Sequence, residues 1–521
     1  MRRLLIHTLA AIAFAAAAAP GLAAPAPALA PALAHVAAKA AAPAPPDVDV
    51  IDRGADGLRL RVAQEVPAPP DFDAHFTART MRLDYFHTGG RGTEIVSLDR
   101  VVADGVWAGS RTRLVDDTNL GKYRFKVIHP QTGEVLYSRG FASIYGEWET
   151  TPEARTTHRT FHESLRFPWP KHPVRIVLER RDAQNAWQEL WTTTVDPASV
   201  DVNPADRPPA GRVWTLFENG PPATKVDLLI LGDGYTAAEL EKFHADARRM
   251  IDTLFNTEPF KSRRADFNVR ALDLPSAESG VHRPQSDIHR RTPLGVQYNI
   301  FGSERYVLTL DNRALRDAAS AAPYEFVVIL VNDDQYGGGG IYNEHATVAV
   351  DSDFAEYVFI HEFGHHFAGL ADEYYTSDVA YETGKTEHVE PWEPNITALH
   401  DPARVKWADL VEPGTPLPTP WSKAVYEELG REIGRRRGEL LSRGASPEEL
   451  GALFQEQSRR ETALFAAEPH AGKVGAFEGA GYETRGLYRP ELDCIMFSRN
   501  PVPFCKVCRR AIERIIELYA S

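Results

Sequence analysis

Residues 354–375 read FAEYVFIHEFGHHFAGLADEYY, and the rest of the chain is organised around them. His361-Glu-Phe-Gly-His365 is an H-E-x-x-H motif. On a helix, residues four apart lie one above the other on the same face, so both imidazoles reach one metal ion. Glu362, beside the first ligand, is then placed to take a proton from a water at that ion. The flanks predict the helix. Asp351, Ser352 and Asp353 offer N-cap side chains, and Asp353 with Glu356 reads as a capping box. Tyr357, Val358, Ile360 and Phe363 supply apolar flanks, and Gly369 a left-handed end. A chain turning back at Gly369 brings a third ligand to the ion, Asp372 (preferred) or Glu373. Three protein ligands and one open position are the donor set of a catalytic zinc site, here for one Zn2+ ion. His366 is rotated off the ligand face and reads as a supporting or surface histidine.

Upstream, residues 226–231, 267–272 and 326–331 read as buried strands, and residues 237–255 and 312–319 as helices. This alternation predicts an α/β layer leading into the metal helix. Gly232-Asp-Gly-Tyr-Thr-Ala237 matches a dinucleotide fingerprint loosely. Asp233 would set a negative charge against a pyrophosphate, and the acidic partner, Asp252, falls inside the helix, so cofactor binding is set aside. Tyr336-Gly-Gly-Gly-Gly340 is either a plain surface loop or a cleft wall where an extended peptide adds as a strand.

Further back, residues 50–205 read as an all-β sandwich. Short β-branched and aromatic runs at 82–86, 93–101, 123–129, 135–141 and 174–179 alternate with turn clusters. Trp107, Phe125, Tyr145, Trp148, Phe161 and Trp169 fit a core better than a ligand groove. Residues 25–49 form an Ala/Pro-rich linker that cannot bury a core. Residues 1–24, with Arg2 and Arg3, a short apolar run and Gly21-Leu-Ala23, read as a signal peptide, implying a secreted or periplasmic protein. No other stretch is long and apolar enough to span a bilayer. With 58 basic against 72 acidic residues the formal charge is −14, which disfavours nucleic-acid partners.

Downstream, residues 421–466 are charged and helical in pattern, a hairpin inserted into a catalytic domain spanning 206–521 and broken near Gly444-Ala-Ser-Pro447. Tyr482 and Tyr488 are candidates to stabilise an oxyanion, and Met496 is a candidate for a methionine turn beneath the metal. The chain's three cysteines, Cys494, Cys505 and Cys508, lie near its end. Export favours a disulfide from Cys494 to Cys505 or Cys508. They could instead begin a structural zinc site, but no fourth ligand is evident in sequence.

Several stretches in one order resemble the bacterial IgA metallopeptidase family of secreted zincin-type zinc endopeptidases. They are Leu229-Ile-Leu-Gly-Asp-Gly-Tyr-Thr236, His361–His365 with Gly369-Leu-Ala-Asp-Glu-Tyr374, Phe477-Glu-Gly-Ala-Gly-Tyr482, and Cys494-x-Met496 with Phe504-Cys-x-x-Cys508. The resemblance implies a multidomain chain, an N-terminal β domain followed by an α/β zincin-like domain. It implies His361, His365 and Asp372 as ligands, Glu362 as general base and a polypeptide substrate. It does not establish that the substrate is immunoglobulin. Two other classes fit the same residues: a non-catalytic zinc-containing binding or adhesion protein, and a zinc hydrolase acting on a non-protein amide.

Overall fold

In the residues 123–127, YRFKV, alternate side chains are buried and half-buried, as a strand with one covered face requires. The computed structural model describes residues 70–375 and 388–520, and the leader at 1–24 and linker at 25–49 lie outside the described residues. Eight strands come first: β1 (Phe76–Gly90), β2 (Thr93–Val106), β3 (Tyr123–Ile128), β4 (Val135–Phe141), β5 (Arg159–Pro170), β6 (Val174–Arg181), β7 (Trp187–Val195) and β8 (Val202–Asn203). They form two four-stranded sheets, ordered β5-β1-β2-β8 and β4-β3-β6-β7. The sheets meet through aromatic rings, Phe125 against Phe167 at 6.3 Å and Tyr85 against Trp191 at 6.4 Å. Trp107, Phe125, Tyr145, Trp148, Phe161 and Trp169 are all buried core residues.

Buried charge joins this β-rich region to the α/β region. The guanidinium of Arg82, fully buried, meets Asp84 at 2.8 Å, Asp104 at 2.6 Å and Asp317 from beyond the β-rich region. His87, also fully buried, sits between Glu94 and Glu163, each 2.9 Å away. Burial alone would lower its pKa, but the two carboxylates outweigh burial and raise it to about 9. A raised folded-state pKa contributes stability that is present below the unfolded value of about 6.5 and lost as pH rises through about 9. Denaturant melts between pH 6.5 and 9 are therefore expected to lose on the order of 3 kcal/mol from this group. In His87→Gln that segment of the pH dependence should flatten.

Next come β9 (Arg212–Phe217), β10 (Val226–Asp233), helix α1 (Leu240–Phe255), β11 (Phe267–Asp273), the short pair β12 (Val296–Gln297) and β13 (Leu308–Thr309), and helix α2 (Asn312–Ala319). They lead into β14 (Phe326–Val331), β15 (Gly338–Ile341), β16 (His345–Ala349) and helix α3 (Ala355–Ala368). A six-stranded mixed sheet runs β15-β16-β14-β10-β11-β9. Its four inner strands are parallel, while β9 and β15 pair antiparallel at the edges. The inner strands are buried along their whole length because both faces are covered, and β14 (FVVILV) is apolar without interruption. Leu228, Ile230, Val328 and Leu330 share a core with Phe243, Met250 and Phe363 of α1 and α3. Leu229, Leu231, Val327 and Ile329, pointing the other way, pack with Leu315 and Ala319 of α2.

The loop matching the dinucleotide fingerprint has a structural job. The buried Asp233 carboxylate accepts from Thr292 Oγ1 and from the backbone N–H groups of Leu294 and Val296, pinning that segment to the sheet. The longer elements that follow are helices α4 (Lys423–Ser442) and α5 (Pro447–Ala466), the hairpin β17 (Phe477–Ala480) and β18 (Glu483–Arg489), and helix α6 (Lys506–Tyr519). Helices α4 and α5 are cross-linked by Arg436 to Glu456 and Arg460 to Glu432. No helix among the described residues is long and apolar enough to cross a membrane.

Candidate metal centre and cleft

Helix α3 carries the H-E-x-x-H residues, and its start differs from the expected one. Phe354 is the N-cap and no side chain caps it, so the capping box from Asp353 to Glu356 does not form. The chain leaves β16 through a tight turn in which Ala355 N–H bonds Ser352 O at 3.0 Å. The helix ends as expected, at Gly369 with φ 60°. Its buried face is pressed against β15. A Cβ on Gly340 would stand 2.1 Å from the carbonyl oxygen of Glu362, and one on Gly338 2.6 Å from Val358 Cγ1 of the same helix. Gly340→Ala is expected to lower stability by on the order of 2 kcal/mol, because a backbone atom must move, and a thermal melt would show it. Strand β15 is an edge strand, yet its Gly338 end is already paired to Tyr306, so its outer edge is partly covered by the protein's own chain.

His361, His365 and Asp372 converge. His361 Nε2 lies 3.1 Å from His365 Nε2 and 3.0 Å from Asp372 Oδ1, and His365 Nε2 lies 3.2 Å from the same oxygen. A tetrahedral ion with ligands at about 2.0–2.1 Å has edges of about 3.3 Å, so this donor set fits one. The far ring nitrogens are held by carbonyls. His361 Nδ1 donates to Ile495 O at 3.0 Å and His365 Nδ1 to Leu370 O at 2.6 Å. That fixes the tautomer and turns each Nε2 lone pair towards the shared point. Burial works against charge on Asp372, but the two imidazoles outweigh it and hold this carboxyl well below the usual range. Asp372 in turn outweighs burial at His365 and raises its pKa to about 9, so an ion binding there displaces a proton from Nε2. Glu362 lies beside the pair, and burial pushes its carboxyl above the ordinary glutamate range.

Asp372 and Glu373, alternatives in the sequence, separate here. Asp372 faces the histidines, while Glu373 is fully buried with Oε1 3.2 Å from Cys508 Sγ. The turn around Met496 runs beneath α3. Met496 is fully buried, a Cβ on Gly364 would meet its sulfur at 3.0 Å, and its carbonyl accepts from Glu373 N–H at 2.8 Å. The expected disulfide is not formed. Cys494, Cys505 and Cys508 are free thiols, and Cys494 Sγ is 3.9 Å from Cys508 Sγ where a disulfide needs about 2.05 Å.

The two tyrosines also part. Tyr482 donates its hydroxyl to Asp372 Oδ2, and its backbone, at φ 66°, bonds to Tyr374. Tyr488 instead pairs with Thr397 through its backbone and does not line the cleft. His366 is neither a surface residue nor beside the shared point. It is fully buried, with Nδ1 donating to Ile341 O and Nε2 accepting from Val327 N–H. This bonding fixes α3 to β14 and β15, and burial lowers its pKa to about 3.

The three converging residues open onto a cleft of about 1720 Å³. Its walls include Gly338 of β15, Arg437 of α4 and Phe454 of α5, so the helical hairpin forms one side. Arg305 also lines it. Burial disfavours the Arg305 charge, but Tyr374, Tyr336, Tyr482 and Asp372 outweigh this and raise its pKa. A cation held near the converging residues suits a developing oxyanion or a substrate carboxylate. No sequence signal singles out Arg305, which lies in an irregular segment outside every motif.

A family model described as IgA Peptidase M64 matches residues 214–516, more than half of the 521-residue chain. A second, described as Peptidase M64 N-terminus, matches residues 71–192. No curated protein matches the chain.

Proposed function

Since the chain belongs to the IgA peptidase M64 family, we propose that it is an exported zinc endopeptidase with a zincin-like catalytic domain over residues 206–521. In this reading residues 1–24 direct export, 25–49 are a linker, 50–205 are a separate β-sandwich domain and 421–466 are an insertion. The observation that carries it is the convergence of His361, His365 and Asp372 within 3.2 Å at the wall of a cleft of about 1720 Å³, with Glu362 alongside.

His361 Nε2, His365 Nε2 and Asp372 Oδ1 would hold the ion. A zinc ion bound there acidifies a water towards a pKa of about 7 and polarises a carbonyl. Glu362, with its carboxyl raised by burial, takes the proton from the attacking water and returns it to the leaving amine. Tyr482 holds Asp372 in place through Oδ2. The Arg305 guanidinium orients the scissile carbonyl and stabilises charge on its oxygen. The cleft has room for an extended polypeptide segment, which favours protein over a small amide.

The test is mass-spectrometric mapping of peptide bonds cut in a denatured proteome, with and without a chelator. The expected result is chelator-sensitive internal cuts. Binding without cleavage, or release only of non-peptide amines, would overturn the proposal.

A further inference from the structure

The side chains of Glu373, Cys494, Cys505 and Cys508 form a second cluster, buried on every side. Glu373, Cys494 and Cys508 are fully buried and Cys505 is 4% exposed. Their ligand atoms all lie within 4.8 Å of one another. Cys508 Sγ is 3.2 Å from Glu373 Oε1, Cys505 Sγ 3.9 Å from the same oxygen, and Cys494 Sγ 3.9 Å from Cys508 Sγ. A tetrahedral zinc with thiolates at about 2.3 Å and one carboxylate oxygen at about 2.1 Å has edges of about 3.5–3.8 Å. The cluster therefore has the dimensions of an ion's ligand shell and is too open for a disulfide.

Backbone donors are aimed at two of the sulfurs. Cys505 N–H donates to Cys494 Sγ at 3.3 Å and Cys508 N–H to Cys505 Sγ at 3.4 Å. Cys505 is the N-cap of α6, where the helix dipole favours negative charge. Glu373 is held by Asn395 Nδ2 at 3.0 Å, yet its second oxygen has no hydrogen-bond partner although fully buried. An orphaned carboxylate oxygen among three thiols is costly unless a cation satisfies it. The buried Arg489 guanidinium acts on Glu373 and offsets part of the remaining negative charge.

We propose that Glu373, Cys494, Cys505 and Cys508 bind a structural zinc ion, distinct from the catalytic one. Four protein ligands leave no open position, so the ion is structural. Glu373 follows Asp372 directly in the chain, so the two carboxylates anchor adjacent residues to two different ions. The structural ion thereby clamps the segment carrying the third catalytic ligand against the Met496 turn, to which Glu373 N–H is already bonded.

The test uses the full chain purified from zinc-supplemented medium, with elemental analysis and a thiol count after denaturation with a chelator. Wild type should carry two zinc ions per chain and release three thiols. The double variant His361→Ala/His365→Ala should keep one zinc, and after cobalt exchange it should show thiolate-to-cobalt charge-transfer absorption. Adding Cys505→Ser and Cys508→Ser to that variant should remove the band; if that protein does not fold, the band in the histidine variant decides. A metal-free histidine variant, or a wild-type protein with one thiol and a mass consistent with a disulfide, would overturn the inference. One zinc in wild type together with a retained thiolate band would support this site and sink the catalytic-metal reading instead.

Discussion

Glu362→Gln is expected to lower peptide-bond turnover by about 10²- to 10⁴-fold, the range that a positioned general base contributes. The amide keeps the shape of the carboxylate and cannot accept the proton. Zinc should stay bound, because Glu362 is not among the converging ligand atoms His361 Nε2, His365 Nε2 and Asp372 Oδ1. Substrate binding should also survive, so the loss should fall on kcat with little change in KM. Steady-state kinetics on a fluorogenic peptide, alongside elemental analysis of the same preparation, measures both. A variant that cuts as fast as wild type would remove Glu362 from the mechanism.

The second large effect is expected from His365→Ala. It deletes one donor of the three and the bond that fixes the ring to Leu370 O. Loss of an outer hydrogen-bonding partner alone typically costs 10- to 100-fold in metal affinity. Loss of a ligand should therefore exceed about 100-fold. Titrating activity with free zinc set by a competing chelator should show no recovery at concentrations that saturate wild type. Wild type stripped by chelation should regain activity over the same titration. Full activity in His365→Ala at trace zinc would contradict the assignment.

The elements legible in the sequence are those with a strong local period. The expected bounds of α2 and β14, 312–319 and 326–331, match the structure, and the α4–α5 hairpin breaks at residues 443–446, where Gly444 and Ser446 stand. The two histidines are legible because a single helix spaces them. The missed strands lack such a pattern. In β5, RTFHESLRFPWP, two prolines and a mixed polar run hide the alternation. In β7, WQELWTTTV, nearly every side chain is at least partly exposed.

The candidate site is half legible for a similar reason. Asp372 and Glu373 are neighbours with the same chemistry, and only the turn after Gly369 sends them in opposite directions. The cluster around Cys494 shows no fourth candidate ligand in sequence because Glu373 lies far away along the chain, beside Asp372. Arg305 and the orienting carbonyls of Ile495 and Leu370 are tertiary features. A backbone carbonyl carries no residue-type signal at all.

The most direct measurement is anomalous scattering at the zinc edge from crystals of the purified chain. The expected result is a peak bounded by His361 Nε2, His365 Nε2 and Asp372 Oδ1, about 2.0–2.2 Å from each. Featureless density at that point in an enzyme that still cleaves polypeptides would contradict it.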